Sequence, residues 1–180
     1  RRKFSLEELN LFFEDLVTRY LVWARNLEAH QRLRDETSRR LEFPYSSYRK
    51  GQRELAIAVY KTIRRGRKLF AQAPTGTGKT LASLFPAVKA LGEGQIEKIF
   101  YLTAKTVTQE VASQALNKLR DQGLVLKSLS LTAKDKICFN PAAGCNVDEC
   151  EYAAGHFDRV NQAIAAIFPL QEFSRTAIEA

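Results

Sequence analysis

Residues 73–80, which read APTGTGKT, impose the strongest constraint on how this chain can fold. Gly76 and Gly78 admit backbone conformations that side chains disfavour, so successive amide groups can point towards one centre. An apolar run over residues 68–71 precedes the segment, and a helix-forming run over about 79–91 follows it. A strand, a glycine turn and a helix in this order predict one unit of a parallel sheet.

The same eight residues carry the groups that a nucleotide phosphate site requires. Backbone amides would surround the phosphate oxygens, and the following helix would add its positive end. Lys79 would lie along the β- and γ-phosphates, and the Thr80 hydroxyl would complete the coordination of Mg²⁺, so these two are the predicted catalytic residues. The residues predicted to bind ATP and Mg²⁺ here are Ala73, Pro74, Thr75, Gly76, Thr77, Gly78, Lys79 and Thr80.

Apolar runs and helix-forming segments alternate on both sides of this loop. Helices are predicted over about 51–64, 79–91 and 106–121, and strands over 68–71, 98–102 and 126–131. Short links that contain glycine separate them, which favours βαβ units and a parallel sheet covered on both faces. The predicted fold class is therefore α/β.

A helical region precedes the α/β part. Ser5 and Glu8 fit a capping box, which predicts a helix start at this point. Apolar residues then recur at helical spacing, and we expect their face to pack against a neighbour. They are Leu9, Phe12, Phe13, Leu16, Tyr20 and Trp23. The charged stretch 32–42 either continues the helix or forms a linker, and a boundary is expected near 42–47.

The charge balance indicates the class of partner. The chain has 28 Lys and Arg against 20 Asp and Glu, a net charge of +8, which favours a polyanion such as nucleic acid. No apolar run approaches the roughly 20 residues that a membrane span needs. We expect a cytoplasmic location, at the bacterial nucleoid, and no membrane partner.

Three further segments resemble motifs of one family. Residues 45–52, YSSYRKGQ, resemble the Q motif of superfamily 2 helicases, and residues 101–107, YLTAKTV, look like their motif Ia. Residues 131–141, LTAKDKICFNP, resemble the entry to the iron–sulfur domain of XPD/DinG-like DNA helicases, where a basic residue shortly precedes the first cluster cysteine. The resemblance covers about residues 43–165 and implies a RecA-like P-loop lobe with an iron–sulfur insertion.

This resemblance implies roles for single residues. Gln52 would pair with N7 and N6 of adenine, while Tyr48 or Arg49 stack nearby. Hydroxyl and ammonium groups at the end of motif Ia suit contact with a DNA backbone without sequence reading. The residues expected to contact DNA are Thr103, Lys105, Thr106 and Lys134, with Lys136 and Arg159 as further candidates.

Three cysteines, Cys138, Cys145 and Cys150, lie within thirteen residues. An odd, clustered set in a cytosolic chain favours metal ligation over disulfides. Their spacing departs from the C-x2-C pairs of typical zinc ribbons. The resemblance implies a [4Fe–4S] cluster, which needs four thiolates, with the fourth ligand expected beyond residue 180. The alternatives are His156 as a local substitute, or three unligated thiols.

As a whole, the resemblance implies the N-terminal part of an ATP-dependent DNA helicase that moves 5′→3′ on single-stranded DNA and unwinds forked duplexes in repair or replication. We expect a helical preamble over 1–42, a partial RecA-like lobe over 43–133 and a partial iron–sulfur domain over 134–180. The family's D-E-A-H string does not occur in these 180 residues, so this segment is not expected to hydrolyse ATP alone. An ATP-binding regulatory or nucleic-acid-binding module without unwinding activity, and a zinc-stabilised scaffold, remain as alternatives.

Overall fold

A computed structural model describes residues 3–104 and 106–176 of the chain. The chain divides into two compact units, residues 1–125 and residues 126–180. The first unit contains α1 (Leu6–Arg40), α2 (Gln52–Arg64), α3 (Lys79–Gly92) and α4 (Thr106–Arg120). The second contains β1 (Ser128–Leu129), α5 (Lys134–Ile137), α6 (His156–Ile167) and β2 (Glu172–Phe173). No helix in the described ranges is long and apolar enough to cross a membrane.

The start of α1 confirms the predicted capping box. The Ser5 hydroxyl accepts a hydrogen bond from the Glu8 amide at 3.1 Å, and the Glu8 carboxylate accepts one from the Ser5 amide at 2.7 Å. Together they satisfy two amide donors that a helix end otherwise leaves without partners. The helix then continues through the charged stretch to Arg40, so that stretch is helix and not linker.

Most of the apolar face of α1 is not covered by a neighbour. Leu9, Phe13 and Tyr20 keep 49%, 63% and 66% of their surface exposed, so the expectation that they pack against a neighbour is wrong in the described part of the chain. The reason is length: α1 has 35 residues, about 50 Å, whereas its partner α3 has 14, about 20 Å. Only the last turns of α1 can lie against α3.

The core of the first unit forms around α3, which contacts α1, α2 and α4. Its buried apolar side chains include Leu81, Leu84, Val88 and Leu91, and Val88 is fully buried. Each such side chain contributes about 1.5–3 kcal/mol on burial.

Polar contacts also join the end of α1 to α3. The Arg39 guanidinium donates to the Gly92 carbonyl at 3.0 Å, and the Lys89 ammonium donates to the Arg39 and Leu41 carbonyls. These bonds occupy carbonyl groups that the last turn of a helix leaves without partners inside the helix. The C-terminal end of α1 is therefore fixed to α3 by hydrogen bonds as well as by packing.

The parallel sheet predicted for the first unit is not formed among the described residues. Residues 68–71 and 98–102 have no regular secondary structure, and neither segment is paired with a strand. Phe70, Phe100 and Leu102 consequently remain 94%, 79% and 90% exposed. An extended segment becomes a strand only when a neighbour takes its amide and carbonyl groups, and the described part of this unit supplies no such neighbour. Both strand predictions are therefore wrong here.

The second unit contains a small parallel sheet. β1 lies within the predicted strand 126–131 and pairs with β2, with Ser128 opposite Glu172 and Leu129 opposite Phe173. No pattern in the sequence predicted β2. The Lys127 ammonium, next to β1, donates to the carbonyls of Phe168 and Leu170 beyond the end of α6. Burial there lowers the pKa of Lys127.

A substitution at Gly92 tests the contact between α1 and α3. A Cβ atom at Gly92 would lie 2.4 Å from the Ser38 Cβ and 3.0 Å from backbone atoms of Asp35 and Arg39. Alanine favours a helix over glycine by up to about 1 kcal/mol. Displacing α1 from α3 to make room for the new methyl group costs about 1–3 kcal/mol. We expect Gly92→Ala to destabilise the protein in chemical denaturation.

The matched control is Gly144→Ala, because nothing lies within 4 Å of a Cβ atom at that position. Gly144→Ala should leave the denaturation curve unchanged. A Gly92→Ala protein as stable as the parent would show that α1 is not held against α3 at this point.

Candidate nucleotide-binding site

The loop over residues 73–78 is folded into a turn that leads directly into α3. Gly76 and Gly78 have φ angles of 83° and 76°, a region in which a side chain would be strained. The Thr77 hydroxyl donates to the Pro74 carbonyl at 2.8 Å and closes the turn. α3 begins at Lys79, so the positive end of the helix faces the loop. The predicted glycine turn followed by a helix is therefore formed.

The Lys79 ammonium is held by the loop itself. It donates to the carbonyls of Ala73 at 3.0 Å and Pro74 at 2.8 Å, while its side chain remains exposed. Thr80 follows in the first turn of α3 and is partly buried. An ammonium placed across the loop can exchange these carbonyls for phosphate oxygens, which are stronger acceptors because they are charged.

Gln52, the first residue of α2, connects that helix to the loop. Its side chain is only 3% exposed. The side-chain oxygen accepts from the Arg49 amide at 3.0 Å, and the side-chain nitrogen donates to the Gly78 carbonyl at 3.2 Å. A Cβ atom at Gly78 would lie 2.3 Å from that nitrogen, so glycine is required for this approach as well as for the φ angle.

Arg49 makes a second connection to the loop, which was not predicted from the sequence. Its guanidinium donates to the Gly76 carbonyl at 2.8 Å. Residues before and at the start of α2 therefore hold the carbonyls of both loop glycines. The only signal in the sequence was that Arg49 and Gln52 belong to a Q-motif-like string ahead of the loop.

Tyr48 lies in an aromatic cluster and not in the loop. Its ring stacks on Phe43, with centroids 3.9 Å apart and planes 20° apart, and Phe43 also meets the edge of Phe85 on α3. The cluster packs the segment before α2 onto α3. One face of the Tyr48 ring is therefore already covered by Phe43.

A cleft of about 800 Å³ opens between α2 and the loop, a volume within the usual range for small-molecule sites. Lys79 and Thr80 are not among the side chains that line it. The lining residues are Arg49, Lys50, Gly51, Glu54, Leu55, Ala58, Ala71, Gln72, Ala73, Pro74, Thr75, Gly76 and Thr77.

The predicted DNA-contacting residues are only partly described. Thr103 is partly buried and directly follows the unpaired segment 98–102. Lys105 lies outside the described residues, and Thr106 is the first residue of α4, although its side chain is likewise outside the description. Their roles stay predictions.

The three cysteines lie in the second unit and differ in exposure. Cys138 is partly buried, Cys145 is exposed and Cys150 is buried, and all three are free thiols. Across the described residues, no three side chains of His, Cys, Asp or Glu form a group that could hold a metal ion. A hydrogen bond with the Cys145 side chain raises the pKa of Lys134.

Comparison with known proteins identifies the family. A family model described as DEAD/DEAH box helicase matches residues 52–143, just over half of the chain. A probable ATP-dependent helicase of Methanocaldococcus jannaschii is 36% identical over 70 residues, 39% of this chain and 10% of the relative. The ATP-dependent DNA helicase YoaA of Escherichia coli is 50% identical over 42 residues, 23% of this chain and 7% of the relative.

The matched segments thus span a tenth or less of these relatives, and no solved structure gives a significant match. The family match includes Gln52, the loop 73–80 and α3, the elements that form the site described above. A DEAD/DEAH box helicase domain implies a RecA-like fold. This chain belongs to the DEAD/DEAH box helicase family.

Proposed function

We propose that the chain supplies the nucleotide-binding part of the first motor lobe of an ATP-dependent DNA helicase. In this role ATP hydrolysis drives 5′→3′ movement along single-stranded DNA and unwinding of forked duplexes, in repair or replication. The observation that carries the proposal is the folded loop 73–78, with two glycines at positive φ and Lys79 lying across it. DNA as the nucleic acid is supported by the likeness to YoaA, whose name describes a DNA helicase.

The chain's own residues would act on the triphosphate in three ways. The loop amides and the start of α3 attract the phosphate oxygens. The Lys79 ammonium leaves the carbonyls of Ala73 and Pro74 and binds the β- and γ-phosphates, where it offsets their negative charge. The Thr80 hydroxyl would ligate Mg²⁺, and the ion would supply positive charge beside the phosphate oxygens.

Gln52 and Arg49 act on the shape of the loop. Both Gln52 amide atoms already have partners, the Arg49 amide and the Gly78 carbonyl. Adenine recognition by Gln52 therefore requires an exchange of these hydrogen bonds. We propose that the Gln52 side chain positions the loop before nucleotide binds. Any contact between this side chain and the adenine base forms afterwards.

DNA contact is proposed for Thr103, Lys105 and Thr106, because they lie before and at the start of α4, where donors suit a phosphate backbone. Lys134 is proposed for the same role. Its ammonium interacts with Cys145, and a DNA phosphate would compete with that sulfur.

We propose that Cys138, Cys145 and Cys150 provide three of the four thiolates of a [4Fe–4S] cluster. Support comes from the spacing of the three cysteines and from the family resemblance of the segment 131–141 that leads into them. The present arrangement does not bring the three sulfurs together, so the segment 138–150 would have to rearrange on loading.

Lys79→Ala tests the assignment of the loop. In the full-length protein, we expect this substitution to lower DNA-stimulated ATP hydrolysis by about 10²-fold or more, because a charge that stabilises the transition state is removed. Lys98→Ala, at another exposed lysine of the same unit, should keep full activity. Turnover retained by Lys79→Ala would refute its role. ATP binding without unwinding by the parent protein would favour a regulatory module instead.

Gln52→Ala separates loop positioning from base recognition. Without the hydrogen bond to the Gly78 carbonyl, the loop should be less well held in its binding conformation. A lost hydrogen bond costs about 1–1.5 kcal/mol, so Mg·ATP and Mg·GTP should both bind about 5- to 10-fold more weakly. Equilibrium binding of both nucleotides provides the measurement, with Gln95→Ala as the control on an exposed glutamine. A decrease confined to ATP would show that Gln52 reads adenine and does not position the loop.

Metal analysis tests the cluster. Full-length protein purified without oxygen should contain about four irons and four sulfides per chain and be brown, and Cys150→Ser should remove the iron. Colourless protein with zinc would support the scaffold alternative. Protein without metal would leave three free thiols and contradict the proposed cluster.

A further inference from the structure

The last turn of α2 and the reversal that follows it carry five basic side chains within residues 61–68. We call this segment the basic turn, and its charged residues are Lys61, Arg64, Arg65, Arg67 and Lys68, all of them exposed. Backbone hydrogen bonds fix its shape, from the Gly66 amide to the Ile63 carbonyl at 3.0 Å and from the Arg67 amide to the Thr62 carbonyl at 3.1 Å. Gly66 has a φ of 58°, which allows the chain to reverse there.

These five charges have no carboxylate partners among the described residues. None of them forms an ion pair there, and Arg64 lies 6.0 Å above the Tyr60 ring. Arginines on α1 behave differently, since Arg19 and Arg32 pair with carboxylates one helical turn away at 2.9 Å and 2.6 Å. Glu93 accepts a hydrogen bond from the Tyr60 hydroxyl and forms no ion pair with the basic turn among the described residues. Because none of its five cations is paired with a carboxylate there, the basic turn presents uncompensated positive charge.

The basic turn is too far from the loop to bind the phosphates of the same nucleotide. α2 has 13 residues, so its two ends, Gln52 and Arg64, lie about 18–20 Å apart. The cleft beside the loop is lined on the α2 side by residues up to Ala58 and does not reach the turn.

The charge distribution favours a polymer of phosphates as the ligand. Residues 126–180 contain five Lys and Arg against seven Asp and Glu, so the positive charge of the chain belongs to the first unit. Clustered basic side chains bind nucleic acid through its phosphate oxygens, without reading the bases.

We propose that the basic turn is a second nucleic-acid contact, which binds the phosphate backbone of single-stranded DNA independently of ATP. The choice of DNA as the polyanion rests on the proposed function. The site itself rests on the uncompensated charges, their fixed turn and their distance from the nucleotide loop. It is distinct in sequence from Thr103, Lys105 and Thr106, the residues for which the family resemblance implies DNA contact.

The experiment compares two charge-matched triple variants of the full-length protein. One is Arg64→Gln, Arg65→Gln and Arg67→Gln in the basic turn, and the other is Arg19→Gln, Arg25→Gln and Arg32→Gln on α1. Binding of a fluorescent oligothymidylate of about 20 nucleotides is measured by anisotropy without nucleotide, over a series of salt concentrations.

We expect the turn variant to bind at least about 10-fold more weakly at low salt. The negative slope of log affinity against log salt should become less steep by about 2. This corresponds to roughly 0.7 for each phosphate that the variant no longer neutralises. The α1 variant should stay within about twofold of the parent. Equally weakened binding in both variants, or an unchanged salt slope in the turn variant, would overturn the proposal.

Two further measurements complete the comparison. All three proteins should bind Mg·ATP equally, which shows that the first unit is folded. Because the DNA measurement contains no nucleotide, its outcome is independent of any failure of the Lys79 assignment. Binding to vesicles that contain phosphatidylserine tests whether the polyanion is a membrane surface. If the turn variant lost vesicle binding but bound DNA as tightly as the parent, the proposal would also be overturned.

Discussion

The hydrogen bonds from Gln52 and Arg49 to the loop are the constraint on which the candidate site depends. They hold the carbonyls of Gly78 and Gly76 against the start of α2, and α3 begins immediately after the loop. The loop is thus fixed on one side by a buried amide and at its end by a helix. Because Gly78 cannot carry a side chain at this distance from Gln52, the sequences of α2 and of the loop depend on each other.

The rest of the first unit supports this arrangement through α3. Its buried face contacts α2, α4 and the last turns of α1. The segment before α2 also packs on α3, because Phe43 stacks on Tyr48 and meets the edge of Phe85. The nucleotide loop therefore lies at the N-terminal end of the helix around which the unit packs. The basic turn lies at the other end of α2, which places two proposed sites for phosphate on opposite ends of one helix.

Local interactions explain which features could be predicted from the sequence. The start of α1 depends on Ser5 and Glu8 alone, and the turn at Gly76 and Gly78 depends on their own φ angles, so both were predictable. A strand over 68–71 depends on partners distant in sequence, and β2 likewise depends on pairing with residues more than forty positions away. The Gln52 partners could not be predicted either, because a buried amide binds whichever groups the tertiary fold brings to it.

The central proposal about the site is that the loop crossed by the Lys79 side chain binds the phosphates of a nucleotide. It is tested most directly by a crystal structure of the chain with Mg·ADP bound. We expect the Lys79 ammonium to leave the carbonyls of Ala73 and Pro74 and to lie within hydrogen-bonding distance of the β-phosphate, while Gln52 still holds the Gly78 carbonyl. A nucleotide bound elsewhere, or a Lys79 ammonium that remains on the loop carbonyls, would contradict it.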